Sequence, residues 1–214
     1  MSGSRIKPSA PHRLIVEGQD DQHTIIHLTA RHGWNWDKPA PHFPYIDDAK
    51  GDTLALEALP VALLSCQRVG VVLDADIAPG NRWQSIGDRL SDAGFPLPDQ
   101  PDPEGTVVLR ADGKRLGVWL MPDNQSPGKL EDFLAQLVPP GDPCWGCAEE
   151  STRCAKELGA GFTEPDFIKA RIHTWLAWQE EPGLPFGTAI RAATFAHDTA
   201  AARKFVAWME RLFA

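Results

Sequence analysis

The sequence predicts an α/β fold, a Rossmann-like mostly parallel sheet flanked by helices, with an edge β-hairpin and a C-terminal helical extension. Three observations predict its architecture. Short apolar runs alternate with stretches of helical periodicity, as in strands joined by crossover helices. The run Arg68-Val69-Gly70-Val71-Val72-Leu73 is continuously apolar after its first residue, which suits a central parallel strand covered on both faces. Thr106–Leu109 and Leu116–Leu120 flank Ala111-Asp112-Gly113, a hairpin turn sequence.

The elements follow in order. Residues 1–12 are polar and are expected to form a flexible leader with no signal-peptide core. Residues 13–140 are expected to form the α/β core, and 141–214 a helical part packed on it within a single domain. Arg13–Val16 reads as a buried strand that stops at Glu17-Gly18. Asp20 to His32 spaces Ile25, Ile26, Leu28 and Thr29 as a helix closed by Gly33. Residues 33–50 hold Pro39, Pro41 and Pro44 and read as a loop or irregular strand. Thr53 to Leu64 is a second helix, with Pro60 as a kink point. The central strand then ends at Asp74-Ala75-Asp76. Trp83 to Ala93 is helical, and Pro96 to Gly105 is a loop before the hairpin. Pro127 to Leu134 opens another helix, and Asp166 to Gln179 and Asp198 to Phe213 close the chain.

Composition narrows the function classes. With 43% hydrophobic and 23% charged residues the chain is globular rather than disordered. No apolar run approaches the ~18 residues of a membrane span, so a soluble cytoplasmic protein with no membrane partner is expected. The formal charge of −8 argues against coating nucleic acid by bulk charge, though not against nucleic acid held at one site. Cys144 and Cys147 have zinc-knuckle or dithiol spacing, and Cys154 follows. Without a fourth ligand at a normal interval they are expected to be reduced cysteines in a loop and helix start.

Two strands end in acid: Glu17 after the first, Asp74 and Asp76 after the central one. In an open α/β sheet the carboxyl ends of parallel strands share one crevice. Asp21 lies one helical turn beyond Glu17, so four carboxylates are expected to converge. Two like charges ~4 Å apart repel by ~4 kcal/mol at an effective dielectric of 20. A divalent cation relieves that repulsion, and hard oxygen ligands suit Mg²⁺ or Mn²⁺.

These stretches resemble a known family. Leu14-Ile15-Val16-Glu17-Gly18-Gln19-Asp20-Asp21 resembles the first motif of the Toprim domain, and Val71-Val72-Leu73-Asp74-Ala75-Asp76 resembles its second. Nearly the whole chain after residue 12 resembles a stand-alone bacterial Toprim-like family of unknown function, related to the Toprim domains of OLD-type nucleases. Its hallmarks here are Gly117–Asn124, Gly128–Leu134 and Lys169–Ala177. The resemblance implies Glu17 as metal ligand or general acid/base, and Asp21, Asp74 and Asp76 as metal-binding aspartates. It implies Glu131 as a further carboxylate for a second metal, and Lys169 as the lysine that stabilises charge at the scissile phosphate. Asp20, Asp123, Asn124, Asp132 and His173 are second-tier candidates. Each also has a structural reading: Glu131 and Asp132 complement a helix dipole, Asp123 and Asn124 form turns, and His173 bonds in the core.

The expected activity is divalent-metal-dependent phosphodiester hydrolysis in DNA or RNA. The resemblance adds an ATPase partner, in phage defence among relatives. A haloacid-dehalogenase-type phosphatase also carries Asp-x-Asp after a strand, but here Ile77-Ala78 follows in place of a small hydroxylated residue. The third reading is a non-catalytic protein that binds metal or nucleic acid with a partner. Tyr45, the only tyrosine, sits in a Pro-rich loop, which fits a topoisomerase poorly.

Overall fold

In the computed structural model, residues 10–214 are described. A five-stranded sheet of order β2-β1-β3-β5-β4 carries helices on both faces. Strand β1 (His12–Val16) pairs in parallel with β2 (Tyr45–Asp48) and with β3 (Arg68–Asp74). Strand β3 pairs in parallel with β5 (Arg115–Met121), and β4 (Thr106–Leu109) closes that side antiparallel to β5. Between them run α1 (Gln19–Arg31), α2 (Asp52–Ser65) and α3 (Pro79–Leu90). After the hairpin come α4 (Leu130–Ala135), α5 (Pro143–Glu157), α6 (Phe167–Leu176), α7 (Phe186–Arg191) and α8 (Ala200–Phe213).

Strand β3 is central and buried from Val69 to Leu73, so both faces are apolar. On one face, Ile15, Val71 and Leu73 pack with Leu56, Leu59 and Leu63 of α2 and Ile86 of α3. On the other, Leu14, Val72 and Trp119 pack with Phe133 of α4, Trp175 of α6, and Phe205 and Trp208 of α8. The C-terminal helices therefore share a core with the sheet. Their approach depends on two glycines opposite each other, Gly70 on β3 and Gly117 on β5. A Cβ at Gly117 would lie 2.4 Å from a Leu212 methyl, and one at Gly70 would lie 2.9 Å from the same methyl.

Several elements differ from the sequence expectation. Helix α3 begins at Pro79 rather than Trp83, with Pro at its first turn, where its missing N–H costs nothing. Helix α4 begins at Leu130 rather than Pro127, because Asp76 and Gly128 exchange backbone hydrogen bonds of 2.9 and 2.8 Å that hold the chain extended there. The ambiguous 33–50 stretch contains an edge strand, β2, in which only Ile46 is buried. Helices α5 and α7 were not anticipated as separate elements. The cysteines expected in a loop and helix start, Cys144, Cys147 and Cys154, all lie on α5 and are free. Most of the leader expected over 1–12 lies outside the described residues, and His12 already belongs to β1. Among the described residues no helix is long and apolar enough to cross a membrane.

Candidate acidic site at the strand ends

Strands β1 and β3 are parallel neighbours, so Glu17 and Asp74 emerge at the same edge of the sheet. The Glu17 Oε1 accepts the backbone N–H of Asp74 at 2.7 Å. The chain turns at once into α1, whose third residue, Asp21, accepts the Gly18 N–H through Oδ2 at 3.1 Å. That contact caps the helix and fixes the carboxylate beneath the strand ends. Asp74 Oδ1 accepts the Leu130 N–H at 2.9 Å, which brings the start of α4 to the same place. Glu131 follows, buried, and pairs with Lys169 Nζ of α6 at 3.0 Å.

The electrostatics show that these groups feel one another. Burial raises the Asp21 carboxyl to about 7, with repulsion from Glu17 and Glu131 adding to it and hydrogen bonds from backbone N–H groups opposing it. Burial raises Asp74 further, to about 8, reinforced by Glu17, Asp21 and Glu131. Glu17 is raised chiefly by burial, offset by the Asp74 N–H and by Arg82. Burial opposes the charge on Lys169, but Glu131 outweighs it and holds the ammonium above its usual range. Four of the expected acids, Glu17, Asp21, Asp74 and Glu131, thus converge with Lys169.

Asp76 does not join them. Its backbone adopts φ +52°, and its half-exposed carboxylate turns to Arg82 at 2.6 Å. Arg82 also donates to the Asp74 carbonyl at 3.1 Å and to Asp52 at 2.9 Å. Sequence reasoning missed this arginine, and its position on α3, six residues beyond Asp76, carries no motif that would single it out. Asp20 is exposed, and its charge reaches Lys169. Asp132 caps α4 through the Lys129 N–H at 2.8 Å. Asp123 accepts the N–H groups of Gln125 and Ser126 in a turn. Asn124 is buried and bonds both ways with the Leu120 backbone, while its Nδ2 has no hydrogen-bond partner among the described residues. His173 is exposed rather than bonded in the core, stacks on Phe186 at 5.0 Å, and is lowered by burial and then by Lys169.

Among the described residues no three His, Cys, Asp or Glu side chains form a ready all-protein metal cage. Glu17, Asp21 and Asp74 each aim one oxygen at a backbone N–H, and Glu131 aims one at Lys169. Mg²⁺ keeps several waters and takes only one or two carboxylates, so the donor set fits that ion rather than a caged one. The two carboxyls are raised to about 7 and 8 first by burial and then by the neighbouring acids, and a bound cation would favour their ionised forms.

Beside these acids lies an open cleft of about 790 Å³. It shares its walls with them, through the starts of α4 and α6, but is lined by Asp76 and Asp132 rather than by the four converging carboxylates.

No curated protein and no solved structure matches the chain. A family model described as "Protein of unknown function (DUF3226)" matches residues 11–214. The chain belongs to that family.

Proposed function

We propose that this protein is a Toprim-like, divalent-cation-dependent nuclease that hydrolyses phosphodiester bonds in DNA or RNA. One observation carries the reading: Glu17 after β1, Asp74 at the end of β3, and Asp21 and Glu131 in the first turns of α1 and α4 gather at one edge of the sheet, with the Asp21 and Asp74 carboxyls raised to about 7 and 8 chiefly by burial. Acids so buried and so perturbed cluster at functional sites. Asp74 and Asp21 would hold Mg²⁺ or Mn²⁺, with Glu131 and Glu17 at its flanks. When bound, the cation would polarise the phosphoryl oxygens and make water nucleophilic near neutral pH.

The chain's own residues supply the rest. Glu17, anchored by the Asp74 N–H through Oε1, keeps Oε2 available to accept a proton from the attacking water. Lys169 is half-exposed on α6 and can lean from Glu131 toward a phosphate, where its ammonium would offset developing charge. The resemblance to Toprim motifs supports the same assignment and alone brings an ATPase partner into the proposal; the sequence has no Walker loop, so ATP hydrolysis would come from that partner.

The second reading, a non-catalytic metal- or nucleic-acid-binding partner protein, is favoured by the Asp76–Arg82 ion pair, which occupies one of the aspartates that the resemblance assigns to metal. Incubation of purified protein with plasmid, single-stranded DNA and RNA, with Mg²⁺ or Mn²⁺ and with chelator, tests the two. The nuclease reading expects cation-dependent cleavage that Asp74→Ala abolishes. Binding without cleavage under every cation supports the alternative.

A further inference from the structure

We infer that the cleft beside the acidic group receives an unpaired nucleobase, so that the substrate is single-stranded nucleic acid. The inference deepens the nuclease reading and rests on it for the position of the scissile phosphate.

The cleft holds about 790 Å³, ample for a nucleoside. The apolar part of its walls is Ile77 after the central strand, Pro127 before α4, and Pro165, Phe167 and Ile168 where α6 begins. Ile77 is 91% exposed and has no packing role in the core. With Pro127, Pro165, Phe167 and Ile168 on the same lining it forms an apolar patch next to the proposed chemistry, the kind of surface that marks a binding site. Phe167 is half-buried and offers a ring to a planar group.

Charge decides what that group is. Asp76, Asp132 and Glu164 stand on the cleft lining, with Lys129 as its one cation, and Lys129 already faces Asp166 at 3.7 Å. A phosphate chain laid along this lining would be repelled. A neutral base would not be. A duplex would need a basic track for its two backbones, and a chain of net charge −8 offers none here. A base stacked on apolar and aromatic side chains gains affinity without such a track.

Position completes the argument. Lys129 lines the cleft, and the next two residues, Leu130 and Glu131, serve the acidic group. Ile168 lines the cleft, and the next residue, Lys169, pairs with Glu131. A base seated in the cleft therefore brings its own phosphate to Lys169 and the carboxylates.

The test uses dye-labelled oligothymidylate and a duplex of equal length, with Ca²⁺ replacing Mg²⁺ to suppress cleavage, read by fluorescence anisotropy. The single strand should bind at least tenfold tighter than the duplex. Phe167→Ala should weaken it about tenfold, the size of one lost stack, and Ile77→Ser should weaken it about tenfold through the lost apolar contact. Ile77→Ser is the decisive variant because its side chain supports nothing in the fold. Equal affinity for duplex, no binding of the oligonucleotide, or unchanged binding by Ile77→Ser overturns the inference. Cleavage is scored separately in Mg²⁺. Stack-dependent binding without cleavage would leave the cleft assignment standing and remove the nuclease reading, whereas cleavage without strand preference would do the reverse.

Discussion

The Glu17 carboxylate accepts the backbone N–H of Asp74 at 2.7 Å, tying the end of β1 to the end of β3 across the sheet edge. The bond holds two acids of like charge side by side in a partly buried place. Burial raises both carboxyls, Asp74 to about 8, while the bond itself draws Glu17 back toward its usual range.

A first prediction concerns stability against pH. In the folded protein Asp74 keeps a proton up to about 8, whereas the unfolded chain releases it near 3.8. The folded state then binds more protons than the unfolded one, so stability falls as pH rises from 3.8 to about 8 and levels beyond. Asp21 adds a similar decline up to about 7. Asp74→Asn keeps the acceptor for the Leu130 N–H and removes the titration. In chelator, its Tm should exceed that of the wild type at pH 8, and its decline from pH 5 to pH 8 should be shallower, by calorimetry.

Cation binding should reverse that decline. At a hundred times its dissociation constant a ligand stabilises by about 2.7 kcal/mol. For a chain of this size that raises Tm by about 5–10 °C. Mg²⁺ or Mn²⁺ should give such a rise at pH 8 and much less at pH 5, where protons hold the carboxyls. Thermal shift with and without chelator reads it directly.

Asp76 should matter less to the cation than Asp74. Its carboxylate faces Arg82, away from the converging group. Calorimetric titration with Mn²⁺ should show Asp74→Asn losing more than about 100-fold in affinity and Asp76→Asn losing about tenfold, the low end of what an indirect support costs. Equal losses would place Asp76 among the ligands.

Lys169 pairs with Glu131 at 3.0 Å, but the lysine is 48% exposed, so the bridge itself adds at most about 1 kcal/mol to stability. Lys169→Met should leave Tm within about 3 °C of wild type yet reduce cleavage by about 100-fold. Lys169→Arg should recover part of the rate.

Gly117→Ala should destabilise the fold without touching the acids. The new methyl would meet Leu212 at 2.4 Å under α8. Overpacking of this kind costs about 1–3 kcal/mol, a fall of about 2–12 °C in Tm. A matching Leu212→Ala should relieve part of the clash.

How much of this was legible in the sequence varied with the kind of signal. The rule that ligands gather at the carboxyl ends of parallel strands placed Glu17, Asp21 and Asp74 together, because strand ends and helix starts are local patterns. Glu131 and Lys169 were reachable only through resemblance, since their meeting depends on how α4 and α6 pack. Asp76 sits in the same short motif as Asp74, but one residue in the left-handed region turns its side chain to Arg82. Such a turn leaves no trace in residue spacing. Helix α5 was missed because its Cys, Gly, Ser and Thr residues are weak helix formers. It is held by Asp142 at its cap and by Arg171 of α6, 3.6 Å above the Trp145 ring. Asp142-Pro143 was the start signal available to sequence reasoning. Strand β2 has one buried residue, Ile46, and prolines before it, too little alternation to separate from a loop.

The most direct test is a crystal grown with Mn²⁺ and measured at the manganese absorption edge. The account predicts an anomalous peak bound by Asp74 together with Asp21 or Glu131, with Lys169 drawn away from Glu131. A map with no peak among those side chains, and Lys169 still paired with Glu131 at saturating Mn²⁺, would contradict it.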